Sequence, residues 1–272
     1  MDARFSQLPR SLLDRSEFDT LGEGVPALIA TPEGDGPVPF VLWMHGRTVS
    51  KELDPGRYLR WVRDGIGAVA LDLPGHGQRF VEGSHDPRNT PAVVEQMVGE
   101  IDGVLASLRE RYPRLDMARA GIGGMSAGGM AALRRLCDPH PFCCAAIEGT
   151  TGDLSGLYFP QTGHGKDWPV SHDRASVERI DASRWLHGFR PIPLLALHNE
   201  GDKLVPIEVQ RRFLDRLRAH YMKAGADPDL IRLEVFRDSG APQEHSGFGR
   251  HANEAKNIQL AFLRLHLLGQ QA

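Results

Sequence analysis

The five residues at 124–128, Gly-Met-Ser-Ala-Gly, constrain the fold of this chain more than any other segment. They follow the apolar, glycine-rich run 120–123 and precede the helix-forming residues 130–136. A serine in this setting sits on a sharp turn between a strand and a helix, and the flanking glycines leave room where the two elements crowd together. The motif therefore predicts an α/β fold in which Ser126 is exposed as a nucleophile at the end of a strand.

Segments that favour strands alternate with segments that favour helices. Short apolar runs typical of buried strands lie at 25–30, 39–44, 67–71, 142–147, 193–197 and 231–236, and helical patterns at 55–64, 91–111, 207–221 and 253–268. This alternation predicts an α/β protein with an open, mostly parallel central sheet covered by helices on both faces. Because no linker divides the sequence, we expect residues 1–272 to form a single domain. Residues 150–190, rich in Gly, Pro, Trp and His, break the rhythm and are expected to be a small cap-like insertion over the site.

The composition excludes several classes of partner. A formal net charge of −3 gives no electrostatic reason to bind nucleic acid. No apolar run approaches the length of a membrane span, so no membrane insertion is expected. The amino-terminal residues lack the apolar segment of a signal peptide, and the three cysteines do not make a disulfide framework. We therefore expect a cytoplasmic protein.

A serine becomes a nucleophile near neutral pH when a base takes its proton, an acid orients that base, and donors stabilise the oxyanion. The chain offers candidates in the order serine, aspartate, histidine, which is the order expected with this kind of turn. Four segments resemble the esterase branch of the α/β-hydrolases related to dienelactone hydrolases and prolyl-oligopeptidase-like esterases: 43–47, 72–79, the turn around Ser126, and 197–206. The resemblance covers nearly the whole chain and implies the α/β-hydrolase fold and serine esterase activity.

Asp202 is the candidate for the acid that orients the base. It follows a predicted buried strand, and its surroundings, with His198 and the pair Val205-Pro206, are similar to the family segment whose aspartate faces the catalytic histidine. The alternative is that Asp202 caps the helix beginning near Pro206, since aspartate is common at that position. Glu148, at the end of the preceding strand, is the alternative acid, although a structural role or a place in the wall of the site is the simpler interpretation.

Two histidines follow the last predicted strand, where the general base is expected. His245 lies in Gln-Glu-His-Ser-Gly-Phe, which is similar to the His-Gly-Phe setting common in these esterases, and it is our candidate base. His251 lies near the start of the terminal helix and is the alternative base, although it would require a longer connection. His45 and His76 are predicted to hold loops around the site, because neither has the place of the base in the chain order.

The resemblance also places the oxyanion hole. One donor is the backbone N–H of Ala127, directly after the nucleophile, and the other is the backbone N–H of Arg47. Family members often carry a bulky apolar residue at the position of Arg47, so its side chain either faces solvent or favours a substrate with an anionic group. No cofactor and no metal are expected, since no pair of histidines has the H-E-x-x-H spacing and the cysteines are not arranged as ligands.

Together these features predict a serine hydrolase that cleaves small-molecule carboxylic esters through an acyl-enzyme intermediate. An acyl-peptide hydrolase or a lactonase with the same triad is the alternative within enzymes, and a non-catalytic ligand-binding member of the fold is the alternative outside them. Aromatic residues of the insertion, among them Tyr158, Trp168 and Trp185, are expected either to cover the pocket or to pack the insertion against the sheet. The sequence leaves the oligomeric state open.

Overall fold

An eight-stranded sheet runs through the computed structural model, which describes residues 8–160 and 170–269. The strands are β1 Ser16–Leu21, β2 Val25–Ala30, β3 Val38–Met44, β4 Gly67–Leu71, β5 Leu115–Met125, β6 Cys144–Glu148, β7 Leu194–Asn199 and β8 Ile231–Phe236. Their order across the sheet is β1-β2-β4-β3-β5-β6-β7-β8. Strands β3 to β8 are parallel, whereas β2 is antiparallel to both of its neighbours. The predicted α/β fold with a mostly parallel sheet is confirmed.

Helices cover both faces of this sheet. They are α1 Arg10–Leu13, α2 Pro55–Arg63, α3 Thr90–Arg111, α4 Ala127–Arg135, α5 Leu154–Tyr158, α6 Arg174–Ile180, α7 Ile207–Lys223 and α8 Ala252–Leu263. Side chains of α1, α2 and α8 share one apolar cluster, and those of α3 to α7 share the other. Within the described ranges, no helix combines the length and the hydrophobicity that a membrane span requires.

The uninterrupted apolar sequence of β4 reflects burial on both sides. Successive side chains of a strand point to opposite faces, so neighbouring residues enter different cores. Val69 and Leu71 pack into the cluster with α3 and α4, whereas Ala68 and Ala70 pack into the cluster with α2 and α8. Continuous apolar runs are therefore a good signal for the central strands of this sheet.

Strand β1 was not predicted from the sequence. Its residues Ser-Glu-Phe-Asp-Thr-Leu are mostly half-buried or exposed, because β1 lies at the edge of the sheet and packs little apolar surface. Backbone pairing with β2 along its whole length defines the strand instead. Polar edge strands of this kind carry no apolar run by which the sequence would reveal them.

The insertion at 150–190 contributes short helices rather than strands. Helices α5 and α6 lie in its described parts, and Leu157 is buried in the apolar core. Trp185 remains partly exposed and donates its indole N–H to the Glu178 carbonyl, while Trp168 lies outside the described residues. The single domain and the cap-like role of the insertion stay predictions.

Candidate active site

Ser126 occupies the turn between β5 and α4 with a backbone conformation that is unusual for a residue with a side chain. Its φ is 51° and its ψ is −119°. Such strain persists only where the surroundings hold the backbone in place. The Ser126 N–H donates to the Glu148 carbonyl at 2.9 Å, and its own carbonyl accepts from the Thr150 hydroxyl at 2.8 Å. These two bonds fix the serine hydroxyl at the carboxyl edge of the sheet.

The glycines of the motif are required by crowding at this turn. A Cβ atom on Gly124 would lie 2.5 Å from the backbone carbon of Gly128, and one on Gly128 would overlap the carbonyl of Met44. Both clashes involve backbone atoms, which cannot rotate away as a side chain can. The absence of side chains at these two glycines therefore lets β3, β5 and α4 approach closely, as the sequence pattern implied.

The structure brings Ser126, His245 and Asp202 together. The hydroxyl of Ser126 lies 3.0 Å from His245 Nε2, and Nδ1 of the same imidazole lies 2.8 Å from Asp202 Oδ2. Because an ionised carboxylate can only accept, Nδ1 carries the proton and Nε2 is free to accept from the serine. The other oxygen of Asp202 accepts the backbone N–H groups of Leu204 and Val205 at 2.9 and 2.8 Å. All three side chains thus have the spacing that proton transfer from the serine requires.

The loop that carries His245 is held by hydrogen bonds at both ends of the turn. Asn199, the last residue of β7, donates through its amide to the carbonyls of Glu244 and Gly247 at 2.7 and 2.9 Å. The Glu244 carboxylate in turn accepts from the backbone N–H groups of Ser239 and Gly240. The loop after β8 therefore curls back over the edge of the sheet, which places His245 against the serine.

His251, the alternative base, has other partners. Its Nε2 lies 3.0 Å from the Arg237 carbonyl, and its Nδ1 lies 3.2 Å from the carboxylate of Glu254. It directly precedes α8 and does not line the cavity beside Ser126. Of the two candidate histidines, only His245 bonds to the serine hydroxyl.

Glu148, the alternative acid, belongs to a buried ionic cluster. Both of its oxygens accept from the Arg57 guanidinium, at 2.8 Å for Oε2, and the Gln259 amide donates to Oε1 at 2.9 Å. Arg57 also lies over the ring of Trp43, 4.3 Å from its centroid. Burial alone would lower the pKa of Arg57, but the carboxylates of Glu148 and Asp54 raise it above its ordinary value. The structure therefore pairs Glu148 with Arg57 and leaves the His245 imidazole to Asp202.

We expect Glu148→Gln to destabilise the protein, because the substitution leaves the Arg57 charge buried without its main counter-charge. Removing one partner of a buried ion pair typically lowers the free energy of unfolding by about 3 kcal/mol. Urea unfolding of the variant measures this loss, with the exposed Glu110→Gln as the control that removes the same charge from the surface. A Glu148 variant as stable as the Glu110 variant would show that the cluster contributes nothing to stability.

Two backbone N–H groups lie where an oxyanion hole is expected. Ala127 is the first residue of α4, so its N–H has no acceptor within the helix. A Cβ atom on Gly46 would lie 3.5 Å from Ser126 Cβ, which places the loop 45–47 directly beside the serine. The N–H of Arg47 makes no backbone hydrogen bond to any described residue. Ala127 directly follows Ser126 and the loop of Arg47 lies beside it, and the role of the two N–H groups as oxyanion donors stays a prediction.

The serine opens into a cavity of about 460 Å³. Its described lining includes the apolar and aromatic side chains of Trp43, Met125, Met130, Tyr158 and Phe248. It also includes charged side chains from four separate segments, those of Arg47, Asp54, Arg57, Glu148 and Lys256. Of the described residues in the insertion, Tyr158 is the one that reaches this lining, and burial raises the pKa of its phenol. A small organic molecule with an apolar body and a polar group fits such a cavity.

His45 and His76 hold the neighbouring loops. His45 Nε2 accepts the backbone N–H of Leu73 at 3.1 Å, and His76 Nδ1 donates to the Pro74 carbonyl at 2.8 Å. Burial lowers the pKa of His76 to about 4, so its imidazole is neutral. Among the residues that the structure describes, no three His, Cys, Asp or Glu side chains are grouped as metal ligands. The predicted absence of a cofactor stays a prediction.

The sequence did not indicate the ionic cluster in the wall of the cavity. Arg57 lies 91 positions from Glu148, and Gln259 lies 111 positions from it. Arg57 occupies a helix whose sequence reads as ordinary and amphipathic, and nothing local to it signals burial of a charge. The one available signal was Glu148 itself, a carboxylate at the end of an apolar strand, where a buried partner is required.

Comparisons with known proteins identify the family and the fold of this chain. A sequence model of the prolyl oligopeptidase family matches residues 81–270. The putative esterase YitV of Bacillus subtilis is 26% identical over 223 residues, 75% of this chain and 82% of that protein. Esterase YjfP of Escherichia coli is 27% identical over 204 residues, 71% of this chain and 81% of that protein. The crystal structure of TT1662 from Thermus thermophilus superposes with a TM-score of 0.69 at 22% identity and covers 93% of this chain and 98% of its own, which shows a shared fold.

Proposed function

The chain belongs to the prolyl oligopeptidase family and is a serine hydrolase, and on this premise we propose that it cleaves carboxylic esters through an acyl-enzyme on Ser126. The observation that carries the proposal is the continuous chain of hydrogen bonds from Ser126 through His245 to Asp202. It lies at the mouth of a cavity large enough for a small ester. The esterase names of two relatives support esters over other acyl compounds.

In the first half of the reaction, Ser126 attacks the acyl carbon while His245 Nε2 takes the hydroxyl proton. The imidazolium that forms is stabilised by the Asp202 carboxylate, which stays ionised and keeps the ring oriented. Negative charge develops on the carbonyl oxygen and is held by the backbone N–H groups of Ala127 and Arg47. His245 then gives its proton to the departing alcohol, and the acyl group remains on the serine.

In the second half, a water molecule replaces the alcohol. His245 takes a proton from this water, which attacks the acyl carbon through the same oxyanion hole. Collapse of the intermediate returns the proton to Ser126 and releases the carboxylic acid. No step requires a metal or an organic cofactor.

Peptide amides and lactones are alternative substrates of the same machinery. The family is named for a peptidase, and the triad attacks an amide or a cyclic ester by the same sequence of steps. A binding protein without activity would keep the fold without needing a base positioned on the serine.

A substrate panel tests the proposal. p-Nitrophenyl esters of increasing acyl length should be hydrolysed, with an initial burst of p-nitrophenol equal to the enzyme concentration if deacylation is slower than acylation. A peptide p-nitroanilide and a lactone serve as the comparison substrates. Hydrolysis of the anilide or the lactone with inert esters would replace the proposal by one of these alternatives, and no turnover of any of them would support a binding protein.

Asp202→Asn should lower the turnover number for esters by about 10⁴-fold, because an amide at this position favours the wrong tautomer of His245 while preserving the geometry. The measurement is kcat for a p-nitrophenyl ester, with circular dichroism to verify the fold. Glu148→Gln is the matched comparison, assayed below its melting temperature. A loss of this size in the Glu148 variant, beside an active Asp202 variant, would contradict the assignment of the acid.

A cytoplasmic location is also part of the proposal. Cys137 and Cys144 are buried, Cys143 is half-buried, and all three are free thiols. Free thiols are typical of reducing compartments. Fractionation of cells that express the protein tests the location.

A further inference from the structure

We propose that the guanidinium of Arg47 binds a carboxylate of the substrate, so that the preferred esters carry an ionised acid group a few bonds from the scissile carbonyl. This inference rests on the proposed esterase function and specifies its substrate class. It starts from the charges in the described cavity wall. Those of Asp54, Arg57, Glu148 and Lys256 are paired with one another, whereas Arg47 has no ionic partner among the described residues.

The other charged groups of the cavity wall neutralise each other. Arg57 binds Glu148 through both carboxylate oxygens and lies 3.1 Å from Asp54. Lys256 lies 2.9 Å from the second oxygen of Asp54. These two cations and two carboxylates form one closed cluster, which leaves no charge free to bind a ligand. Arg47 therefore supplies the net positive charge of the described cavity wall.

Arg47 has no ionic partner within the described part of the chain. Among residues 8–160 and 170–269, no carboxylate lies within 4.0 Å of its guanidinium. The guanidinium donates through Nη2 to the carbonyl of His85, a neutral acceptor, while Nε is buried and has no acceptor among the described residues. The carboxylate of Asp86, whose charge raises the pKa of Arg47, is itself paired with Arg88 at 2.5 Å. A half-buried arginine in this state retains unused donors in the wall of the cavity that Ser126 also lines.

Three titratable groups that interact with the guanidinium, His85, His172 and Tyr158, are neutral. Burial, together with the charge of Arg47, lowers the pKa values of His85 and His172, and burial keeps the phenol of Tyr158 protonated. Burial also lowers the pKa of Arg47, and the charge of Asp86 offsets this effect only in part. A carboxylate that enters the cavity would supply the missing counter-charge.

The geometry limits where that carboxylate lies. Arginine binds carboxylates with two parallel N–H donors, which lysine cannot do. The backbone N–H of this same residue is proposed to hold the carbonyl oxygen of the ester. One residue would then contact both groups. The distance between the carboxylate and the reacting carbonyl therefore cannot exceed the length of one arginine side chain. The acid group can belong to the acyl part or to the alcohol part of the ester, and matched substrates distinguish the two.

The test compares each anionic ester with a neutral amide of the same shape. Monoethyl glutarate and its terminal amide place the charge on the acyl part, and 4-acetoxybenzoate and 4-acetoxybenzamide place it on the alcohol part. Acid release is followed by titration at constant pH. We expect kcat/KM to favour the carboxylate in at least one pair by about tenfold or more, the range of a charge-assisted hydrogen bond.

Arg47→Met should abolish this preference. The substitution retains the backbone N–H of residue 47. The ratio of kcat/KM between the two esters of a pair is compared within each variant, so that a change in overall activity does not affect the comparison. We expect the ratio to fall to about one in Arg47→Met and to stay at the wild-type value in Arg63→Met, which removes the same charge from the exposed end of α2. Arg47→Lys keeps the charge without the two parallel donors and should retain only part of the preference.

The outcomes separate this inference from the proposed function. A wild-type protein that hydrolyses all four esters without preference, with activity that Ser126→Ala removes, overturns the role of Arg47 and leaves the esterase standing. A preference that survives in a folded Arg47→Met overturns it equally. If Arg47→Met does not fold, the kcat/KM ratios of the wild-type protein and of Arg47→Lys test the inference instead. Equal preferences in these two proteins would overturn it. Inert esters in every case would instead contradict the proposed function.

Discussion

Ser126→Ala is expected to lower kcat for ester hydrolysis by about 10⁴- to 10⁶-fold while leaving the fold intact. The hydroxyl is the group that forms the acyl bond, and its loss leaves only the oxyanion donors and substrate binding. Alanine is smaller than serine and removes no bond that holds the turn, since the bonds to Glu148 and Thr150 are made by backbone atoms of residue 126. Initial rates with a p-nitrophenyl ester measure the effect.

Ser155→Ala is the matched control for this prediction. The Ser155 hydroxyl lies in helix α5, has no hydrogen-bond partner among the described residues and does not belong to the described lining of the cavity. Its loss should leave kcat unchanged. Activity of Ser126→Ala within tenfold of the parent would show that another residue attacks the ester.

His245→Ala is expected to have an effect nearly as large, a loss of about 10⁴-fold or more in kcat, because no other group is positioned to take the serine proton. His251→Ala removes the same side chain from the same loop region and should retain the parent activity, since His251 bonds to Arg237 and Glu254 and not to the serine. The two variants are compared in one ester assay, after thermal unfolding has verified that both are folded.

The pattern of losses decides between the histidines. An inactive His251 variant beside an active His245 variant would reverse the assignment of the base. If both variants are folded but inactive, activity requires the whole segment that carries His245 and His251. The assignment of His245 alone as the base would then be contradicted. Two active variants would contradict a serine–histidine mechanism altogether.

The parts of the site that follow strands were predictable from the sequence. Apolar runs and the glycine pattern locate Ser126 because local crowding at the turn requires those residue types. Asp202 was predicted because it follows a buried strand and because its surroundings resemble the family segment whose aspartate faces the catalytic histidine. His245 was harder, because its position depends on the bonds that Asn199 makes to its loop. The hydrophobic periodicity of a sequence carries no information about such bonds.

Features that depend on distant partners could not be predicted. The pairing of Arg57 with Glu148 joins a helix on one face of the sheet to the end of a central strand, and the sequence between them carries no trace of it. The edge strand β1 is defined by backbone pairing and has no apolar run. The surroundings of Arg47 are of the same kind, because its lack of a counter-charge among the described residues depends on where carboxylates distant in the sequence lie.

The most direct test of the account is the site at which a fluorophosphonate probe attaches. Such a probe forms a stable bond with an activated serine, so intact-mass measurement and peptide mapping identify the nucleophile without reference to the natural substrate. The account predicts one adduct for each chain, on the peptide that contains Ser126, and none in Ser126→Ala. An adduct on a different residue, or no adduct on a folded protein that still hydrolyses esters, would contradict it.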